Sequence, residues 1–164
     1  MQFKLLPFSP QLVQAGWEFG NLPSEDFPRI AQEALEAGFD GRCIRRIAGL
    51  TRPTRGDLQS LMGEFLQELG VETNLSRQEA GRVLARIAAR AIAQGRISPY
   101  EGAVFIGYEI GNALSDLRNE FVPFVGLASE YEDCGPYSGH SEQTRRKIEQ
   151  EILNEARELA VSAP

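Results

Sequence analysis

Three stretches of this sequence share one helix-start grammar, and they constrain its fold more than any other feature. "TRGD" (Thr54–Asp57), "SRQE" (Ser76–Glu79) and "SPYE" (Ser98–Glu101) each set a hydroxyl residue three positions before an acid. In that arrangement the hydroxyl accepts a hydrogen bond from the backbone N–H three residues on, and the acid accepts one from the hydroxyl residue's own N–H. Asp57 stands in the first for the usual Glu or Gln, and Leu75 precedes the second as a hydrophobic staple. Pro99 takes the first helical position of the third, where no helical carbonyl needs its missing N–H. Apolar residues at helical spacing follow the first two: Leu58, Leu61, Met62, Phe65, Leu66 and Leu69, then Val83, Leu84, Ile87, Ala88, Ala91 and Ile92. Gly70 and Gly95 stop these two helices. The chain reads as all-α.

The remaining elements follow the same logic. A first helix runs from Ser24 or Asp26 to Ala37 with Ile30, Ala31, Ala34 and Leu35 inward, Pro28 in its first turn and Gly38 at its end. A short second helix, capped by Asp40, carries Cys43, Ile44, Ile47 and Ala48 and stops at Gly49. The helix opened by "SPYE" continues as "GAVFIGYEIGNAL" (Gly102–Leu114), apolar on nearly every side, which belongs at the centre of a bundle. Its one charge, Glu109, is the candidate buried charge, expected to pair with Arg86 or Arg90 or to shift upward in pKa. Gly107 and Gly111 would let a neighbour approach closely. Pro123 and Gly126 argue against one regular element after Phe121. The last helix spans Ser141–Ala160, with Ile148, Ile152, Ala156 and Leu159 inward and a charged outer face. Residues 1–23 hold Pro7, Pro10, Gly16, Gly20 and Pro23, and read as a largely irregular N-terminal arm with one strand near Phe3–Leu6. No repeat or linker interrupts the rest, and 164 residues suit one core. The expected architecture is a single-domain bundle of five to six helices over 24–164, preceded by the arm.

Composition narrows the function. A formal net charge of −6 opposes general nucleic-acid binding, which depends on neutralising phosphates, and favours a soluble protein or one that meets a basic partner. Cys43 and Cys134 are too few for a disulfide framework and form no CxxC pair. No apolar stretch has the length of a signal peptide core or a membrane span, so a cytoplasmic setting is the default expectation.

Four groups of residues invite a functional reading. Glu130, Asp133 and Cys134 share a face if 129–134 is helical, and His140 could fold back over "CGPYSG" to complete a metal site or a small enzyme's centre. Zinc sites show pairs such as CxxC or HExxH, which are absent, and a Gly/Pro turn before an N-cap at Ser141 explains the stretch more simply. Arg82, Arg86 and Arg90 form a helical row that reads as an anion-binding strip for phosphate or nucleic acid or, more simply, as a solvated face or one docked on acids such as Glu149 and Glu155. Ile44–Leu58 echoes a helix-turn-helix in Gly49, Leu50 and Leu58, but Arg45, Pro53 and Arg55 stand where that motif needs small or apolar residues. Finally, "SEYEDCGPY" sets Tyr131, Glu132, Asp133 and Tyr137 close together, the mixture of aromatics and acids that interfaces favour. GxSxG, GxxxxGK and GxGxxG are all missing. No catalytic residue and no cofactor is implied.

The order of "EALEAGFDGRCIRRIAGL" (Glu33–Leu50), "GRISPYEGA" (Gly95–Ala103) and "FVGLASEYED" (Phe124–Asp133) resembles small uncharacterised bacterial all-helical proteins. That family has EAGxDGxxLRxLAGL-like, GxIxPxEGA-like and SEYED-like stretches. The resemblance covers about Arg29–Ala160 and implies a helical domain of bacterial origin, with no activity, cofactor or catalytic residue to carry over. The sequence thus points to a non-enzymatic protein–protein interaction domain, in its specific form an immunity-type inhibitor of a bacterial toxin. The alternatives are a metal-binding protein or enzyme using 130–140, and DNA binding through 44–58.

Overall fold

A computed structural model of the chain describes residues 6–71, 75–134 and 142–161. Regular structure among them is entirely helical, with ten α-helices joined by short 3-10 and π turns. No helix of the described residues is long and apolar enough to cross a membrane. The expected count of five to six is therefore too low, for three reasons.

The arm contains a helix, α1 (Pro10–Phe19). Ser9 caps it by accepting from the Leu12 N–H at 3.2 Å, Pro10 opens it, and Gly20 closes it at φ 88°. This is the Ser-Pro start read at Ser98–Pro99, without the acid that completes a box, so the prolines start a helix instead of breaking one. The strand expected near Phe3–Leu6 falls almost wholly outside the described residues. Then α2 (Phe27–Glu36) and α3 (Arg42–Ala48) follow as expected, but the next helix is split into α4 (Arg55–Gln59) and α5 (Met62–Glu68). Next come α6 (Arg77–Ala93) and α7 (Pro99–Val104). The apolar run beyond α7 widens into a π turn over Phe105–Ile110 and a 3-10 turn over Gly111–Ala113. Finally α8 (Ser115–Glu120) and α9 (Val122–Asp133) occupy the segment expected to be irregular, and α10 (Glu142–Val161) ends the described chain. Pro123 sits in the first turn of α9, where it is tolerated.

The helices group in two compact units, one of residues 8–80 and one built from residues 81–164. In the first, Trp17, Phe27 and Phe65 form an edge-on chain of rings, 5.7 and 6.2 Å apart between centroids. Phe27, Ile44, Ile47, Leu58 and Phe65 are fully enclosed. The start of α3 is closed across the fold. Asp40, expected as its cap, instead holds the Arg45 guanidinium through two bonds of 2.8 and 2.6 Å. The N-cap residue is Gly41, which has no side chain to offer. Glu68 of α5 takes that role: its two carboxylate oxygens accept from the Cys43 and Ile44 N–H groups at 3.0 and 2.8 Å. A Cβ on residue 41 would overlap that carboxylate. The other end of α1 is closed by arginines. Arg55 donates to the Trp17 carbonyl and Arg77 to the Phe19 carbonyl, each lying over the ring of the residue it serves.

In the second unit α7 packs on α9 and α10, and α9 packs on α10. Phe105, Ile106, Ile110, Phe124, Ala128, Ile148 and Ile152 supply its core. The run 102–114 is not buried on every side, since Val104, Tyr108 and Glu109 are half-exposed. Gly107 does permit the close approach expected of it: a Cβ there would lie 2.9 Å from the Val125 backbone nitrogen.

Two tests follow from these contacts. Glu68→Ala removes two bonds to a charged acceptor and is expected to cost about 2 kcal/mol. Gly41→Ala, which evicts the same carboxylate, should cost a similar amount, and the double variant little more than either alone in urea unfolding. Additive losses would show that Gly41 and Glu68 act independently. Gly107→Ala in the π turn and Gly126→Ala in α9 should move stability in opposite directions. The first forces backbone apart and costs about 1–3 kcal/mol. The second meets open space in a helix and gains about 0.5–1 kcal/mol.

Candidate functional site

A cluster of tyrosines and carboxylates gathers on α7, α9 and α10. The Ser98 hydroxyl accepts from the Glu101 N–H at 3.2 Å, which fixes the start of α7 and with it the next residue but one, Tyr100. Tyr100 stacks on Tyr131 of α9, centroids 4.6 Å apart and planes within 20°. Each hydroxyl donates to a carboxylate: Tyr100 to Glu132 at 3.1 Å, and Tyr131 to Glu149 of α10 at 3.2 Å. Arg145 lies 5.7 Å from the Tyr131 ring while its Nε donates to the Cys134 carbonyl at 2.7 Å. Tyr108 shares a hydrogen bond with the Ser129 side chain. All three tyrosines are half-exposed, and Glu130, Glu132 and Asp133 are exposed.

The electrostatics follow from that geometry. Burial, then the neighbouring Glu132 carboxylate, pushes the Tyr100 phenol above its ordinary value. Burial and Glu132 do the same at Tyr108, and burial and Glu149 at Tyr131. The phenols therefore stay neutral donors at physiological pH, and the surface beside them stays negative.

The structure brings Tyr131 and Glu132 together and leaves Asp133 exposed next to them. Tyr137 and His140 lie outside the described residues. Of the candidate metal ligands, Glu130 and Asp133 are exposed whereas Cys134 is buried. No group of three or more potential ligands converges among the described residues. Glu109 is half-buried. The arginine row meets other partners than Glu149 and Glu155: Arg82 binds Glu120 at 2.9 Å, and Arg90 reaches the Ala160 carbonyl at 3.5 Å. In the helix-turn-helix-like stretch Arg45 and Arg55 both sit at the surface, one on Asp40 and one on Trp17. Its second helix, α4, is five residues long.

Cys43 is closed to chemistry. Its thiol donates to the Leu61 carbonyl at 3.2 Å, and burial, with Glu64 and Glu68 nearby, pushes its pKa up to about 11. A nucleophilic cysteine needs the opposite shift.

Alkaline titration reads both features. Followed by near-ultraviolet absorbance, Tyr100, Tyr108 and Tyr131 are expected to ionise above the ordinary phenol value of about 10. Glu132→Gln should lower the midpoints of Tyr100 and Tyr108 and leave that of Tyr131. For Cys43 the sign is fixed by the raised folded value. Between about 9 and about 11 the unfolded thiol ionises while the folded one keeps its proton, so rising pH favours unfolding. Urea midpoints should fall across that window, and less steeply in Cys43→Ala.

No protein-family model, no curated protein and no solved structure matches this chain, so its function is argued from its own residues.

Proposed function

We propose that this protein binds a second protein through the tyrosine–carboxylate face of α7 and α9, and that the partner meets it with basic groups. The stacked Tyr100–Tyr131 pair is the observation that carries this reading. Rings held in place by each other and by Glu132 and Glu149 lose little side-chain freedom on binding, which is what makes aromatic anchors effective. Around them Glu130, Glu132 and Asp133 occupy the C-terminal turn of α9, where the helix dipole adds further negative potential. The net charge of −6 steers a cationic partner toward such a face. The specific form of this proposal is an immunity-type inhibitor, an acidic bacterial cytoplasmic protein that covers the basic active site of a toxin. Size and charge support it by analogy.

Comparative affinity capture from the producing cell tests the proposal. The bait is the full chain, beside a Glu130→Arg/Glu132→Arg/Asp133→Arg variant and a Glu151→Arg control on α10. A basic protein retained by wild type and control but lost by the triple variant is the expected result, with Tyr131→Ala weakening its binding more than about tenfold. A partner indifferent to all these changes would place the interface elsewhere. For the inhibitor form, cells producing the captured protein should survive only when the wild-type chain is present.

A further inference from the structure

The unit of residues 8–80 contains an open cavity of about 520 Å³ between the end of α3, the connector after it, and α4 with the turn that follows. That volume lies within the range of small-ligand sites, about 300–1,000 Å³. It is lined by the apolar Leu50, Pro53 and Leu61, the last two largely buried, and by Arg46, Thr51, Gly56, Asp57 and Ser60. The wall is built from the stretch that echoes a helix-turn-helix. In it the connector takes a costly path: Arg52, directly before Pro53, holds φ at 50°, in the left-handed region that a residue preceding proline avoids.

Charge placement is the informative part. Arg45 is neutralised by Asp40, but its neighbour Arg46 has no ion-pair partner among the described residues. Asp57 also has no cation partner among the described residues. Both of the bonds it accepts, from the Thr54 N–H and hydroxyl at 2.8 and 2.7 Å, end on Oδ2. A guanidinium and a carboxylate therefore line the same cavity and do not bridge each other. These two opposite charges, with apolar residues in the same wall, match a ligand that has both charges and an apolar body.

We propose that this cavity binds a short apolar peptide with free termini, its carboxylate on Arg46 and its ammonium on Asp57. The side chains then cover Leu50, Pro53 and Leu61, and the Ser60 hydroxyl is placed to bond a peptide group. An extended residue pair sets its two charged ends about 7 Å apart. Arg suits the carboxylate end because its planar fork can bond both oxygens. The site is independent of the tyrosine face.

The test uses leucyl-leucine as the probe, titrated into the full isotope-labelled chain while backbone amide resonances of residues 46–61 are followed. Saturable shifts confined to the cavity are expected. Arg46→Gln and Asp57→Asn should each weaken binding about tenfold, the loss of one charge-assisted bond. Asn keeps a side-chain acceptor for Thr54, and unchanged urea midpoints confirm that α4 remains capped. N-acetylated and C-amidated leucyl-leucine should each bind as weakly as the matching variant. The proposal is overturned by no saturable shift at about 10 mM ligand, by shifts outside the cavity, or by binding that survives the loss of either charge.

Discussion

The Glu68 carboxylate holds the unit of residues 8–80 to its particular arrangement. Helices of seven, five and seven residues, α3, α4 and α5, are too short to be stable through propensity alone. The start of α3 is satisfied by a partner distant in sequence, whereas α4 is closed by its own Thr54–Asp57 box. Glu68 gives the α3 terminus two acceptors and a negative charge at its positive pole, and in doing so fixes α5 against α3. That bridge fits only because residue 41 lacks a Cβ. Arg55 and Arg77 provide the complementary closure at the carbonyl end of α1. Long-range capping thus ties α3 to α5 and closes the end of α1, beside the local box that starts α4.

Local caps were legible in the sequence, and distant ones were not. The boxes at Thr54 and Ser76 form in both directions, and all three hydroxyls accept from the N–H three residues on, at 3.2–3.3 Å; the Ser98 hydroxyl also donates to the Glu101 carboxylate. Their chemistry is complete within four residues. The assignment of Asp40 as a cap failed because Asp40 and Glu68 competed for two roles, and the sequence shows no sign of which carboxylate arrives from α5. Prolines misled in one consistent way. Pro10 and Pro123 open helices, and a proline two residues after a breaker looks the same in sequence as one that starts a helix. The breaks after Gln59 and Val104 were illegible for another reason. Apolar periodicity continues across both, since the pieces on either side bury the same stripe.

The tyrosine cluster divides the same way. Tyr131 and Glu132 drew notice because an aromatic and acids crowd one short stretch. Tyr100, 31 residues earlier, was read only as part of a helix start, and Glu149 only as a docking acid for the arginine row. The stack arises because α7, α9 and α10 pack on one another, which no local pattern encodes.

Where the arginines go explains why the acidic face remains acidic. Arg29 binds Glu33, Arg45 binds Asp40, Arg82 binds Glu120 and Arg146 binds Glu142. Arg55, Arg77, Arg90 and Arg145 are turned to backbone carbonyls. A guanidinium can do this because its fork of donors serves carboxylates and carbonyls alike. Cations spent on helix ends and on i,i+4 partners cannot neutralise the end of α9. There the one nearby guanidinium, Arg145, bonds the Cys134 carbonyl and leaves Glu130, Glu132 and Asp133 at the surface. Negative potential at that face is therefore a by-product of how the helices are capped. Arg46 is one of several guanidiniums without an ion pair among the described residues, and what sets it apart is its place on the wall of a cavity that also holds the Asp57 carboxylate.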